Sequence, residues 1–285
     1  MAHRLPHRIV FLGAGIILML AAGGCRILTG GPLKPPPPPL SAPEVISAVR
    51  DDTQQFRTLV DTDISISIAA QVDDGWKKMP TFGGLIAFDS VRPGLWLRAE
   101  KLGQKIFTLR AGGDYFWLEL PDSREIVTGG SVAYDRLPHL VQPNEAMLWF
   151  AAPEWLGLTW ENTTMDLQPE TYRFDVRISG QLIRSVYVDR RTLHISRIEV
   201  HDLLRRVRTR VSMERYRDVK GVEFPFRMTI LRPLVGYRIR LTLDEPTFNK
   251  NIPARAFEPK DRPGWEHINL DYEPLSKVDA FSPKK

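Results

Sequence analysis

Side chains that could support acid–base or metal chemistry are sparse in this 285-residue sequence, and they form no recognisable catalytic motif. Neither an H-E-x-x-H nor a G-x-S-x-G pattern is present. His194 and His201 are an odd number of positions apart, so they would face opposite sides of one strand. Gly112-Gly113 and Gly129-Gly130 lack the Lys-Ser/Thr pair of a phosphate-binding loop. The sequence therefore predicts a protein that is not an enzyme, with no metal and no cofactor.

Cys25, the single cysteine, has surroundings that specify a chemistry. Residues 1–24 start with a basic segment, continue with the apolar run Ile9–Ala22 and end in two glycines, which is typical of a secretory signal. The run is shorter than the ~20 residues that span a bilayer. Small residues before a cysteine resemble a lipobox, although Ala22 stands where leucine is usual. We expect Cys25 to be acylated by palmitate-type chains; the alternative is an ordinary signal with an incidental cysteine.

Residues 25–41 would then form a lipid anchor and a proline-rich tether. Five consecutive prolines, Pro35–Pro39, favour a polyproline II rod. From Cys25 to Ser41 such a rod reaches up to ~50 Å. Arg26 is not the acidic residue that retains lipoproteins at the inner membrane of some bacteria. We therefore expect a protein anchored in the cell envelope, at the outer rather than the inner membrane and facing the periplasm, with membrane lipids as partners.

The rest of the composition is that of a folded domain. Hydrophobic residues make up 43% of the chain, which indicates a packed interior. Lys and Arg number 39 against 34 acidic residues, and this mild excess in an exported protein does not suggest nucleic acid. We expect the domain to occupy residues 42–259 and residues 260–285 to be an irregular C-terminal tail.

Alternation with period two runs through most of the domain and predicts a mainly β fold. In Asp63–Val72, for example, isoleucines occupy one face and polar residues the other. Helical spacing is confined to Pro43–Phe56 and to the short segment Ala146–Ala152. About a dozen strands in up-and-down order predict one large curved antiparallel sheet, a half-open β-barrel, with the helices covering its concave side.

The later strands have an apolar face and an arginine-rich face. Arg206, Arg208 and Arg210, for example, alternate with apolar residues. One interpretation is a solvated outer face balanced by Glu214, Glu223 and Asp244. The other is a docking face for anionic lipid or an acidic partner.

The segment Val186–Pro259 resembles the closing strands of the LolA/LolB-like outer-membrane lipoprotein-sorting family. The resemblance covers most of Pro43–Pro259, and it implies a half-open barrel that carries acyl chains in an apolar cavity. An anchored, LolB-like member receives its acylated lipoprotein or lipid cargo at the membrane, with a periplasmic carrier as a possible donor. The residues that carry the resemblance are Asp189 after a strand; Tyr216, Asp218, Gly221, Phe224 and Pro225 in a turn; and Asn249 or Asn251 with Ile252, Phe257 and Pro259 at the end.

The resemblance also implies a protruding loop whose apolar tip enters the membrane during delivery. Leu102 and Gly103, between two lysines, match that loop, and an ordinary exposed leucine is the alternative. Trp149, Trp155 and Trp160 are candidates for a lid over the ligand, with plain core packing as the alternative. For the whole protein, the alternative to a lipid carrier is a non-enzymatic anchored binding or scaffold protein with a filled interior.

Overall fold

The computed structural model describes residues 36–72, 75–92, 94–112, 115–130, 157–159 and 161–272. None of the helices in these ranges is long and apolar enough to cross a membrane. The elements are helix α1 (Ala42–Thr53), a 3₁₀ helix (Ala254–Ala256), and strands β1 (Thr58–Val72), β2 (Gly75–Lys78), β3 (Phe82–Asp89), β4 (Gly94–Lys101), β5 (Gln104–Gly112), β6 (Tyr115–Leu120), β7 (Glu125–Gly130), β8 (Thr163–Leu167), β9 (Thr171–Ile178), β10 (Gln181–Asp189), β11 (Ile195–His201), β12 (Val207–Val219), β13 (Val222–Arg232), β14 (Tyr237–Thr242), β15 (Thr247–Phe248) and β16 (Glu266–Asn269).

All sixteen strands belong to one sheet, in the order β16-β7-β6-β5-β4-β3-β1-β14-β13-β12-β11-β10-β9-β8, with β2 and β15 paired to β1. Within the described residues, β16 and β8 at the two ends of this order do not pair, so the sheet is not closed into a barrel. The predicted mainly β fold, with one large half-open sheet, is confirmed. The sheet is antiparallel as predicted except at one pair, because β16 runs parallel to β7.

The C-terminal segment differs from the irregular tail that the sequence predicts. Glu266–Asn269 pair with Glu125–Thr128 of β7, and Ile268 and Leu270 are buried. Just before this strand, Arg262 forms an ion pair with the buried Glu119 of β6. The chain up to residue 272 therefore continues the domain past residue 259. The strand is parallel because the chain crosses the sheet between β15 and β16 before it meets the edge of β7.

Helix α1 begins at the residues that the sequence indicates. Pro43 lies in the first turn, and the Glu44 carboxylate accepts hydrogen bonds from the Ser41 hydroxyl (2.6 Å) and the Ser41 N–H (2.7 Å). These bonds lower the pKa of Glu44. One side of the helix is buried against the sheet, through Val45, Ile46 and Val49.

The chain before α1 contacts one end of the sheet. Arg190 Nη2 donates to the Pro37 carbonyl (2.9 Å), and the Leu40 N–H donates to the Tyr172 hydroxyl (2.8 Å). We call this the tether end, where β9 begins and β10 ends; the opposite end of the strands is the distal end. The described residues from Pro37 onward belong to one compact unit.

A buried carboxylate shapes strand β1. The register of β1 against β3 shifts between Asp61 and Ile64. The Asp61 carboxylate is buried and accepts the N–H groups of Asp63 and Asp244, each at 2.9 Å. Burial raises the pKa of this carboxyl. Because a bulge bends a strand, Asp61 helps to set the curvature at the centre of the sheet.

Candidate functional site

Alternate residues of successive strands form a single buried apolar cluster on one side of the sheet. Ile66 of β1 lies opposite Leu241 of β14, and Phe174 of β9 lies opposite Val186 of β10. We call this side the apolar face. The first of the two predicted covering helices is present on it, because the cluster also contains the buried residues of α1, namely Val45, Ile46 and Val49. The second, Ala146–Ala152, lies outside the described residues.

Helix α1 and the residues that follow it cover the tether end of the apolar face. The Phe56 ring packs edge-on against Phe224 at the start of β13, with centroids 5.1 Å apart. The N–H of Leu40, just before the helix, donates a hydrogen bond to the hydroxyl of Tyr172 near the start of β9. Leu59 and Leu95, also near the tether end of their strands, are fully buried. The tether end is therefore tightly packed.

The apolar face is slightly more accessible towards the distal end. Ile68, Phe82 and Phe107 each remain 8% exposed, although they belong to the same cluster. Phe82 begins β3, and Ile68 and Phe107 lie in the distal halves of β1 and β5. An apolar ligand approaching the face along the strands from the distal end would meet these side chains first.

Leu102 and Gly103 form a two-residue turn at the distal end of the β4–β5 hairpin. Lys101 pairs with Gln104, and the two central residues have φ angles of 51° and 77°. Such a turn needs positive φ at both positions and is usually built from Asn-Gly. Leu102 is 96% exposed. The structure thus places the predicted docking residues at a protruding tip, with leucine in a conformation that it rarely adopts.

The other predicted site residues cannot be placed in the same way. Cys25, Trp149, Trp155 and Trp160 lie outside the described residues. Acylation of Cys25 and a tryptophan lid therefore stay predictions.

A polar cluster that the sequence does not indicate lies where α1 meets the sheet. Potential ligand atoms of Asp52, His194 and Glu223 lie within 4.8 Å of one another. His194 Nε2 is 2.6 Å from Glu223 Oε2, and its ring stacks on Tyr216 at 4.1 Å. Burial raises the pKa of Asp52. Imidazole and carboxylate groups are donors that transition metals accept. The short contact in this cluster, between His194 and Glu223, joins the residue before β11 to β13, and the Asp52 carboxylate of α1 lies beside it.

The arginine-rich face of the later strands is balanced by acidic residues on the same strands. The buried Glu199 carboxylate accepts a hydrogen bond from Arg210 Nε (2.8 Å) and one from the Tyr187 hydroxyl (3.1 Å). The Arg197 guanidinium lies 3.7 Å from the centre of the Tyr187 ring. This network favours the interpretation as a solvated, charge-balanced face for β10–β12.

The residues that carry the family resemblance form turns and packing contacts. The Tyr216 hydroxyl donates to the Ile195 carbonyl (2.7 Å), and burial raises the pKa of this phenol. Asp218 Oδ1 accepts the N–H of Gly221, whose φ of 85° suits glycine. These residues therefore specify the architecture of the sheet rather than a chemical site.

Comparison with solved structures identifies the fold. A DUF1329 family protein from Desulfovibrio piger is similar over 76% of this chain and 95% of its own, with a TM-score of 0.55 and 13% identity. A LolA superfamily protein from Nitrosomonas europaea is similar over 78% and 99%, with a TM-score of 0.51 and 10% identity. A protein described as an outer membrane lipoprotein-sorting domain from Vibrio parahaemolyticus is similar over 76% and 97%, with a TM-score of 0.50 and 11% identity.

No protein-family model and no curated protein sequence matches the chain. At these identities the structural likeness shows the fold, and the chain has a LolA-like fold. The resemblance that the sequence indicates is confirmed at this level.

Proposed function

We propose that this chain binds the acyl chain of a lipid or of an acylated lipoprotein on its apolar face and carries or receives it at a membrane of the cell envelope. The observation that carries the proposal is one continuous apolar face on an open sheet, covered by α1 at its tether end. The LolA-like fold supports it, because proteins described as LolA superfamily and lipoprotein-sorting domains share the fold. The activity is binding and transfer, without catalysis.

The energetics of acyl chains explain why such a face would be useful. Each methylene exposed to water costs ~0.8 kcal/mol, so a 16-carbon chain costs about 12 kcal/mol. A protein that moves such a chain through water must supply an apolar surface of comparable size. The distal end is proposed as the side from which the chain enters, because Ile68, Phe82 and Phe107 remain slightly exposed there.

Photo-crosslinking tests the proposed binding surface. A benzophenone side chain in place of Phe107, on the apolar face of β5, should crosslink to the acyl chain of a bound lipid. The same group in place of Arg240, which is exposed on the other side of β14, is the matched control and should not crosslink. Equal yields from the two positions, or no yield from position 107, would contradict the proposal.

The proposal includes an anchor at Cys25. The thiol is proposed to carry the acyl groups that hold the protein at the outer membrane, facing the periplasm, where a periplasmic carrier could deliver cargo. Cys25→Ser should give a protein that is unprocessed or released from the membrane. Unchanged membrane fractionation, together with no loss of acyl mass from the N-terminal peptide, would reject the anchor.

Delivery is proposed to occur through the Leu102–Gly103 turn, while Trp149, Trp155 and Trp160 shield the bound chain. Leu102→Glu should slow the transfer of bound lipid to liposomes and leave folding and lipid binding intact, because the side chain is exposed in the protein. Lipid transfer at the normal rate by this variant would exclude the turn from delivery.

A second candidate function is an anchored binding or scaffold protein with a filled interior. The packing of the apolar face favours it, because even the most accessible of its residues named above are only 8% exposed. Mass spectrometry of segment 26–285 separates the two candidates. Acyl lipids that co-purify support the carrier, whereas their absence together with no saturable binding of an apolar fluorescent probe supports the scaffold.

A further inference from the structure

Exposed aliphatic side chains are concentrated at the distal end of the sheet. Among the described residues, six large aliphatic side chains are at least half exposed, and five of them lie at this end: Leu102 (96%), Leu203 (82%), Leu204 (72%), Ile178 (58%) and Leu234 (50%). The sixth, Val91 (66%), lies at the tether end. We call the five distal residues the apolar rim.

Strand direction brings the apolar rim together. Leu102 lies in the β4–β5 turn, Leu203 and Leu204 in the β11–β12 turn, and Leu234 in the β13–β14 turn, while Ile178 ends β9. In an antiparallel sheet, the turns that follow every second strand lie at the same end. The β4–β5 and β9–β10 turns are about eight strand spacings apart, so the rim extends ~40 Å along the sheet.

The turns that display the rim are held in defined conformations. Asp202 Oδ1 accepts the N–H groups of Leu204 and Arg206, each at 2.9 Å, and Oδ2 accepts Arg206 Nε at 2.8 Å. Ser179 and Gly180, which follow Ile178, have φ angles of 51° and 80°. The β9–β10 and β11–β12 turns therefore have defined backbone conformations.

Exposed cations flank two of the four turns that display the rim, and one of them, Arg206, pairs with Asp202. Lys101 and Lys105 flank Leu102, and Arg205 and Arg206 follow Leu203 and Leu204; all four cations are exposed. Apolar tips between cations match the boundary of an anionic bilayer, where acyl chains lie beneath negatively charged headgroups.

We propose that the apolar rim is a bilayer-contacting surface that inserts its side chains into anionic lipid. The inference rests on the proposed delivery of lipid at Leu102, and it extends that contact to the tips of three further hairpins. The contact extends over about eight strand spacings of the sheet, so it orients the distal end of the apolar face towards the membrane.

Vesicle binding tests the proposal with segment 26–285, which lacks the leader and Cys25. The vesicles are phosphatidylcholine alone, or phosphatidylcholine with one third phosphatidylglycerol. The double variant Leu203→Glu/Leu204→Glu should bind the anionic vesicles at least tenfold more weakly than the parent segment. Val91→Glu, an equally exposed position at the tether end, is the matched control and should bind within twofold of the parent. The parent should also prefer the anionic vesicles and lose affinity as salt is added.

Undiminished binding by the double variant, an equal loss in the Val91 control, or no vesicle binding by the parent segment would overturn the proposal. The last result would point to a protein partner at the rim. Retained lipid, measured by mass spectrometry in the same preparations, distinguishes failure of the rim from failure of the carrier. If the protein retains lipid but does not bind vesicles, only the proposed bilayer contact of the rim is overturned. If it binds vesicles but retains no lipid, the proposed carrier function is overturned and the bilayer contact of the rim is still supported.

Discussion

Leucine is an unusual choice at position 102, because both central residues of the β4–β5 turn have positive φ. The left-handed conformation costs a leucine roughly 1–2 kcal/mol, while asparagine tolerates it. We therefore expect Leu102→Asn to raise the free energy of unfolding by about 1 kcal/mol in urea titrations, and to weaken the binding of anionic vesicles. A variant that is more stable but binds vesicles less well would show that the leucine is retained for contact. A variant with unchanged vesicle binding would contradict this.

The buried ion pairs of Glu119 are a second residue-scale test. Glu119 binds Arg110, which is also buried, and Arg262 at 2.9 Å. Glu119→Gln leaves the Arg110 charge without its counter-ion, so we expect the free energy of unfolding to fall by ~3–5 kcal/mol. Glu100→Gln is the matched control, because Glu100 pairs with Arg98 at 2.8 Å where both side chains are partly exposed. The free energy of unfolding of the control should fall by less than about 1 kcal/mol. An equal fall in the two variants would contradict the expected difference between the buried and the exposed ion pair.

Asp61 should make stability depend on pH. Burial raises its folded-state pKa above the ordinary value of 3.8. The stability that the protonated carboxyl contributes is therefore fully present below pH 3.8, the ordinary pKa. It is lost as the pH rises through the folded-state pKa. Asp61→Asn cannot ionise, so its free energy of unfolding should rise relative to the parent over that interval. Chemical denaturation at a series of pH values measures this, and parallel curves for the two proteins would refute it.

At the scale of elements, β16 closes the edge beside β7. Deletion of residues 266–285 removes this strand with the buried Ile268 and Leu270. We expect this truncation to lower the free energy of unfolding by at least about 3 kcal/mol, because two buried aliphatic side chains and a strand pairing are lost. Deletion of residues 273–285 is the control and should leave the urea midpoint unchanged. Equal midpoints for the two truncations would show that β16 does not belong to the stable domain.

Which strands could be predicted depends on their surroundings. Strands β1 and β12–β14 have one buried and one solvated side, so their sequences alternate and were predicted. Strands β8 and β16 lie at the two edges of the sheet, and most of their side chains are partly or fully exposed. β8 is hydrogen-bonded through its main chain to β9, and β16 to β7. Main-chain pairing does not depend on the side chains, so it produces no alternation of apolar and polar residues in the sequence. Edge strands of this kind appear only in the structure.

The candidate sites show the same limit. The position of Leu102 in an exposed turn could be predicted, because the turn and its flanking lysines are contiguous in the sequence, while its role in delivery stays a prediction. The other members of the apolar rim were missed, since assigning turns to one end requires a complete strand count. One undetected strand reverses the end at which every later turn lies. The Asp52–His194–Glu223 cluster was missed because it brings a helix residue close to the residue just before β11 and to a residue of β13, which are distant in the sequence.

At the scale of the whole molecule, residues 37–41 and the apolar rim lie at opposite ends of the strands. Pro37 and Leu40 contact the tether end, whereas Ile178 lies at the distal end of the same region. β10 has nine residues, so the two ends are ~30 Å apart. An extended chain from Cys25 to Pro37 reaches ~37 Å. If Cys25 is acylated as proposed, a fully extended tether would be just long enough for the proposed contact between the rim and the membrane that holds the anchor.

This match of lengths gives the last prediction. Deletion of residues 27–32 shortens the reach of the tether to ~19 Å, which is less than the distance between the two ends of the sheet. The anchored variant should lose contact between the rim and its own bilayer, while still binding separate anionic vesicles through the rim. A photo-crosslinking group at position 203 measures the contact as lipid adducts from the host membrane. Replacement of the same six residues by a Gly-Ser sequence of equal length keeps the reach and should preserve the adducts. If the deletion variant gives as many adducts as the parent, the tether does not limit the approach of the rim to its membrane.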